Sequence, residues 1–143
     1  PEDMDARLMC QVGAWSSRVA IVAGLDMGGS HAVGHALGGS FKVPHGYTSC
    51  VMAPHALEHN RPVNEHRQAL ISVAFGQPDR PAHELAAELI RELGMPQTLT
   101  EVGLSEEDLP DLAMYTFKDI WCGTNPNPIA GADALVPVLR RAL

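Results

Sequence analysis

Seven histidines occur in this 143-residue chain, and six of them fall between His31 and His66. Imidazole titrates near neutrality and is a common transition-metal ligand, so such clustering suits a metal centre or a proton-transfer site. His31 and His35 stand four residues apart and on a helix share one face. His45 follows the glycine pair Gly38-Gly39 and comes directly after Pro44. A helix, a Gly-Gly break and a proline-fixed return would bring His45 back beside His31. That arrangement supplies two imidazole ligands and one nearby imidazole, His35, free for proton transfer. A catalytic metal usually takes three protein ligands plus an open position. A further ligand must therefore come from elsewhere.

The other histidines read differently. His55 and His59 form a second HxxxH, with His59 expected to face solvent and His55 to be packed or supporting. Asp79 and His83 make a literal DxxxH, but Pro81 between them marks it as coincidence. His66 sits between Glu65 and Arg67 and reads as solvated. Asp26 is a conceivable carboxylate ligand, although a glycine-rich turn gives it no fixed direction.

The elements that must hold these side chains read as helices throughout. Met4, Leu8, Val12, Trp15 and Val19 recur at helical spacing, which predicts a helix over 3–22 with one apolar stripe. Ser30 is the expected cap of a second helix that runs to about Leu37 and is ended by Gly38-Gly39. Residues 40–44 read as a connector. A third helix is expected from His45 or Gly46 to Asn60, kinked at Pro54. Arg61-Pro62 opens a fourth that ends near Phe75-Gly76, and Pro81 to Leu93 is a fifth, closed by Gly94. Ser105 and the acidic turn after it start a sixth, expected to reach Trp121. Residues 123–128 cannot be regular, and a last helix is expected over 131–143, with Pro137 awkwardly inside it. No segment alternates with period two. The fold class is all-α.

Composition excludes several classes of function. A formal charge of −7 repels phosphate backbones and argues against nucleic acid. No apolar run approaches the roughly 18 residues that span a bilayer, so a membrane protein is not expected. Cys10, Cys50 and Cys122 form no CxxC pair, which argues against a zinc ribbon or disulfide scaffold and fits a cytoplasmic protein. No phosphate-cradling glycine motif follows a strand. The first residue is Pro rather than Met, and the chain reads as a segment of something longer.

The run Gly29-Ser-His31-Ala-Val-Gly-His35-Ala-Leu-Gly38-Gly39-Ser-Phe-Lys-Val-Pro44-His45-Gly46 resembles the histidine signature of iron-containing alcohol dehydrogenases. Pro54-His55, Asn60, the opening Asp5-Ala-Arg7-Leu-Met-Cys-Gln-Val-Gly13 and Asn125-Pro126-Asn127-Pro128 fit the same family. One departure is Asn127, since that family usually carries arginine there or beside it. The resemblance covers essentially the whole chain.

It implies a dehydroquinate-synthase-like, two-domain enzyme of which this chain is the C-terminal helical domain. By that match His31 and His45 would be ligands of a divalent metal, Fe(II) or Zn(II), and His35 would be the active-site histidine. The family's two remaining ligands, an Asp and a His in a DxxxH on an earlier helix, have no counterpart here. The N-terminal domain that binds NAD or NADP is expected to be missing too, leaving half of the active site. The metal would lower the pKa of an alcohol oxygen, hydride would pass to the nicotinamide, and the proton would leave through a relay including His35. Binding needs neutral His31 and His45, so occupancy should fall below about pH 6. The substrate would be a small alcohol, aldehyde or ketone, and the full-length enzyme a homo-oligomer.

Two alternatives stay open. Maleylacetate reductases of the same superfamily share the Gly-Gly and Pro-His elements and reduce an unsaturated dicarboxylate. Such a substrate wants cationic side chains, and Lys42 is the lysine near the cluster. A non-catalytic helical metal-binding remnant is the other. Without its partner segment, the domain is expected to expose an apolar stripe of Met4, Leu8, Val12 and Trp15.

Overall fold

The computed structural model describes residues 2–143, and every regular element among them is helical. Helices α1 (Met4–Ser17) and α2 (Val19–Val22) lead into α3 (Gly29–Phe41) and the long α4 (His45–Ala74). Then come α5 (Ala82–Glu92), α6 (Leu109–Lys118) and α7 (Ala132–Arg140), with short 3-10 turns at Thr100–Val102, Glu106–Asp108 and Ile120–Cys122. The core lies where α3 packs on α4 and α6, with α7 closing on α6. Leu37, Leu99, Leu109, Leu112 and Leu139 are fully buried there. Withdrawing each such leucine from water stabilises the fold by about 2 kcal/mol.

The first helix begins where expected, with the Asp3 carboxylate accepting the Ala6 N–H at 2.9 Å. It breaks at Arg18, so the expected single helix over 3–22 is two. Neither contains a buried residue. Met4, Leu8, Val12, Trp15 and Val19 form the expected stripe, and all five are exposed.

Around the histidines the boundaries differ from expectation in three ways. The Gly38-Gly39 pair does not end α3. The helix continues to Phe41 and stops at Lys42, which takes the left-handed conformation at φ 60°. Both Lys42 and Val43 donate backbone N–H groups to the Leu37 carbonyl, and Val43 is buried beneath the turn. That tertiary anchor outweighs the cost of a non-glycine residue with positive φ.

Secondly, the expected third and fourth helices run together as α4, meeting at a kink a few residues past the expected boundary at Asn60–Arg61. The break lies at Asn64 (φ −137°, ψ 22°), not at Pro54. Buried Gln68 spans the defect, donating to the Leu57 carbonyl at 2.7 Å and to Asn64 Oδ1 at 2.8 Å. The side chain thus bridges the turns on either side of the irregular residue.

Thirdly, α6 ends at Lys118 rather than Trp121. Asp119 is extended (ψ 138°), and its Oδ1 accepts the Trp121 N–H at 2.9 Å to start a new turn. The sixth helical segment opens as expected, with Ser105 and Asp108 capping each other reciprocally. The last helix is shorter than the expected 131–143 and does contain Pro137.

Candidate metal and active site

Three histidines meet where α3 and α4 cross. His31 and His35 lie one turn apart on α3, with ring centroids 4.5 Å apart. His45 opens α4 behind Pro44, and its ring stands 6.1 Å from that of His31, nearly perpendicular to it. The expected convergence is therefore present, although the return is made by Lys42 to Pro44 and not by a glycine break. The close crossing depends on Gly34, between the two α3 histidines. A Cβ there would lie 3.1 Å from Thr48 Oγ1 on α4. Thr48 is buried and donates its hydroxyl to the His45 carbonyl at 2.8 Å.

The start of α3 is held from the far end of the chain. Ser30 does not cap it. Asn125 does, its Oδ1 accepting the Gly29 N–H at 2.9 Å. Asn125 is itself clasped by Asn60, giving Nδ2–H to Asn60 Oδ1 at 2.7 Å and accepting from Asn60 Nδ2 at 3.2 Å. Asn127 joins through its backbone N–H to Asn60 Oδ1 and its side-chain amide to the His59 carbonyl. Side chains at 28 and 29 would collide with Asn125 Oδ1, at 3.0 and 3.1 Å from a Cβ. The asparagine motif is thus a latch that fixes where His31 starts.

His35 has a partner that its spacing did not reveal. Its Nδ1 lies 2.8 Å from Asp119 Oδ2, on the turn after α6. Among the described residues, no group of three or more His, Cys, Asp or Glu side chains is arranged to hold a metal ion. The two imidazoles expected to act as donors, His31 and His45, stand beside each other here. Burial holds the His31 pKa below its ordinary 6.5, helped by neighbouring His35 and His45 and opposed by Asp119. Neutral imidazole is the ligating form, so this environment suits a metal ligand.

The remaining candidates lie elsewhere. Asp26 is exposed, and no hydrogen bond or ion pair joins it to the histidines among the described residues. His66 is exposed, as expected. His59 is a correction: it is half-buried, with Nε2 sealed from solvent and unpartnered among the described residues, and it lines a small cavity together with Met52, Asn125 and Leu139. The Asn127 side chain, donating to the His59 carbonyl, brings the asparagine motif against that part of α4. His55 is packed as expected, lining a cavity of about 360 Å³ with His83, Glu58 and Arg141, away from the His31 cluster. His83 belongs to that cavity.

Comparisons with known proteins agree on one family. The description "Fe-containing alcohol dehydrogenase family, C-terminal" matches residues 1–143. A maleylacetate reductase of Cupriavidus pinatubonensis is 34% identical over 142 residues, covering 99% of this chain and 38% of the relative. A 1,3-propanediol dehydrogenase of Citrobacter freundii is 33% identical over 110 residues, covering 71% of this chain and 28% of the relative. Among solved structures, a maleylacetate reductase from Agrobacterium tumefaciens superposes with a TM-score of 0.70 at 28% identity, covering 82% of this chain and 32% of that one. The chain spans under two fifths of the length of these relatives.

Proposed function

The chain belongs to the Fe-containing alcohol dehydrogenase family, matching its C-terminal region, and from that premise we propose that it is the helical metal-binding and catalytic domain of an NAD(P)-dependent oxidoreductase acting on a small alcohol or its aldehyde or ketone. The observation that carries this reading is the meeting of His31, His35 and His45 at one helix crossing. Two imidazoles from adjacent helices fit one side of a shared divalent metal, Fe(II) or Zn(II). The further ligands and the nucleotide-binding surface then come from another part of a homo-oligomeric protein.

When bound, the metal supplies Lewis acidity toward the substrate oxygen, and NAD or NADP supplies the hydride-exchanging ring. This chain's residues hold and move the rest. His31 and His45 are the ligands, kept in register by the Asn60–Asn125 latch below His31 and by Thr48 under His45. His35 is close enough to His31 to take the hydroxyl proton, and its partial exposure lets that proton leave to solvent.

A second reading has its own support. Maleylacetate reductases align with nearly the whole chain, whereas the 1,3-propanediol dehydrogenase aligns with 71% of it. Under that reading the substrate is an unsaturated dicarboxylate, and exposed Lys42, three residues before His45 in sequence, is a candidate cation for it.

Metal analysis of the full-length protein, with and without His31→Ala and His45→Ala together, tests the first reading. Stoichiometric iron or zinc that the double variant loses, with NAD(P)-linked alcohol oxidation lost in parallel, is the expected result. Maleylacetate reduction that survives the double variant would overturn it in favour of the second. A full-length protein inert toward both substrate classes would overturn both.

A further inference from the structure

Asp119 is held at both of its oxygens. Oδ1 accepts the Trp121 N–H at 2.9 Å, and Oδ2 stands 2.8 Å from His35 Nδ1. The carboxylate owes its aim to the end of α6: the chain turns extended at Asp119 and restarts as a 3-10 turn that this side chain caps. Its side chain is 18% exposed, against 45% for His35, so the more buried partner orients the more open one.

An ionised carboxylate is an acceptor only, and a neutral imidazole has one N–H and one lone pair. The nitrogen that faces Asp119 must therefore carry the hydrogen, which leaves the lone pair on Nε2. We infer that Asp119 is a positioning residue for His35, fixing its ring and its Nδ1–H tautomer so that Nε2 is the proton-accepting atom. The geometry alone carries the tautomer; its value to the reaction rests on the function proposed above. In that reaction Nε2 would take the hydroxyl proton, and the nicotinamide, when bound, would supply the acceptor for the hydride released with the C–H electron pair. The carboxylate then faces an imidazolium, which it stabilises without taking its proton.

The alternative is that Asp119 merely caps a turn. Asp119→Asn separates the two roles. An amide has one acceptor oxygen, and the Trp121 N–H claims it, so the turn keeps its cap while the NH2 group faces Nδ1. His35 must then invert to the Nε2–H tautomer. The test is ¹⁵N NMR of the zinc-loaded full-length protein labelled at histidine, with His35 assigned through His35→Gln. The expected result is protonated Nδ1 and bare Nε2 in the unsubstituted protein, and the reverse in Asp119→Asn. With it, kcat should fall about tenfold or more at little changed KM. A bare Nδ1 in the unsubstituted protein, a readout that needs no variant, would overturn the inference. So would an unchanged tautomer in Asp119→Asn. Inversion with unchanged kcat would keep the hydrogen bond but overturn His35's role in the reaction.

Discussion

Asn125 caps a helix that begins 96 residues before it: its Oδ1 accepts the Gly29 N–H at 2.9 Å, below the residue pair that leads to His31. Asn60 holds Asn125 in that position from α4. One buried amide thus ties together the start of α3, the body of α4 and the loop before α7.

Replacing Asn125 by Ala strips the Gly29 N–H of its partner and leaves Asn60 unmatched. A buried polar group without a partner costs about 1–3 kcal/mol. Urea unfolding of Asn125→Ala should show a midpoint lowered by an equivalent amount, whereas Asn127→Ala, which loses only its side-chain bond to the His59 carbonyl, should lose less. Equal losses in the two variants would mean that the cap is not what Asn125 provides.

Gly34 sets the distance between α3 and α4. Its Cβ would meet Thr48 Oγ1 at 3.1 Å, so Gly34→Val should destabilise by about 2 kcal/mol or more through overpacking. Thr48→Gly removes the obstructing hydroxyl. The double variant should therefore be less unstable than the sum of the two singles. Strict additivity in thermal unfolding would show that the two positions do not press on each other.

His55 makes stability depend on pH. Burial holds its pKa below the ordinary 6.5, with Glu58 opposing. The unfolded chain therefore binds a proton near 6.5 that the folded chain refuses. Stability is complete above that pH, falls as pH drops from about 6.5 toward the lowered folded value, and is level below it. His31 adds a slope of the same sign. His55→Gln should flatten the decline in denaturant midpoint between pH 7 and 5 without abolishing it. A slope unchanged in this variant would remove His55 from the account.

The α1–α2 segment should make the isolated domain self-associate. Met4 (68% exposed), Leu8 (57%) and Trp15 (76%) present one apolar stripe to solvent. Analytical ultracentrifugation of the 143-residue chain should find concentration-dependent association, reduced by Leu8→Lys together with Val12→Lys. A monomer at high concentration that binds no hydrophobic dye would count against it.

Periodicity sufficed for what depends on near neighbours. Spacing by four makes His31 and His35 share a face wherever a helix forms, and the absence of period-two alternation excluded strands. Ser105 caps within a few residues of itself and could be read directly, and the helix start at Asp3 was legible for the same reason. The resemblance carried by the histidine signature named the family that the comparisons then matched.

Local rules misplaced what distant contacts govern. Glycines favour ending a helix, yet α3 runs past Gly38-Gly39 because the turn at Lys42 is pinned by buried Val43. A proline argued for a kink at Pro54, yet the break formed at Asn64, where Gln68 could mend it. His59 had the sequence surroundings of a surface residue but lines a small cavity with Asn125.

The imidazole cluster was therefore written in the sequence as a set of residue types at helical intervals. Which nitrogen of His35 faces a carboxylate, and which amide holds His31 in place, were not. Those contacts join residues 84 and 96 positions apart. No period or propensity encodes such a pairing, because it exists only once burial of the leucine core has brought α3, α4 and the turn after α6 together.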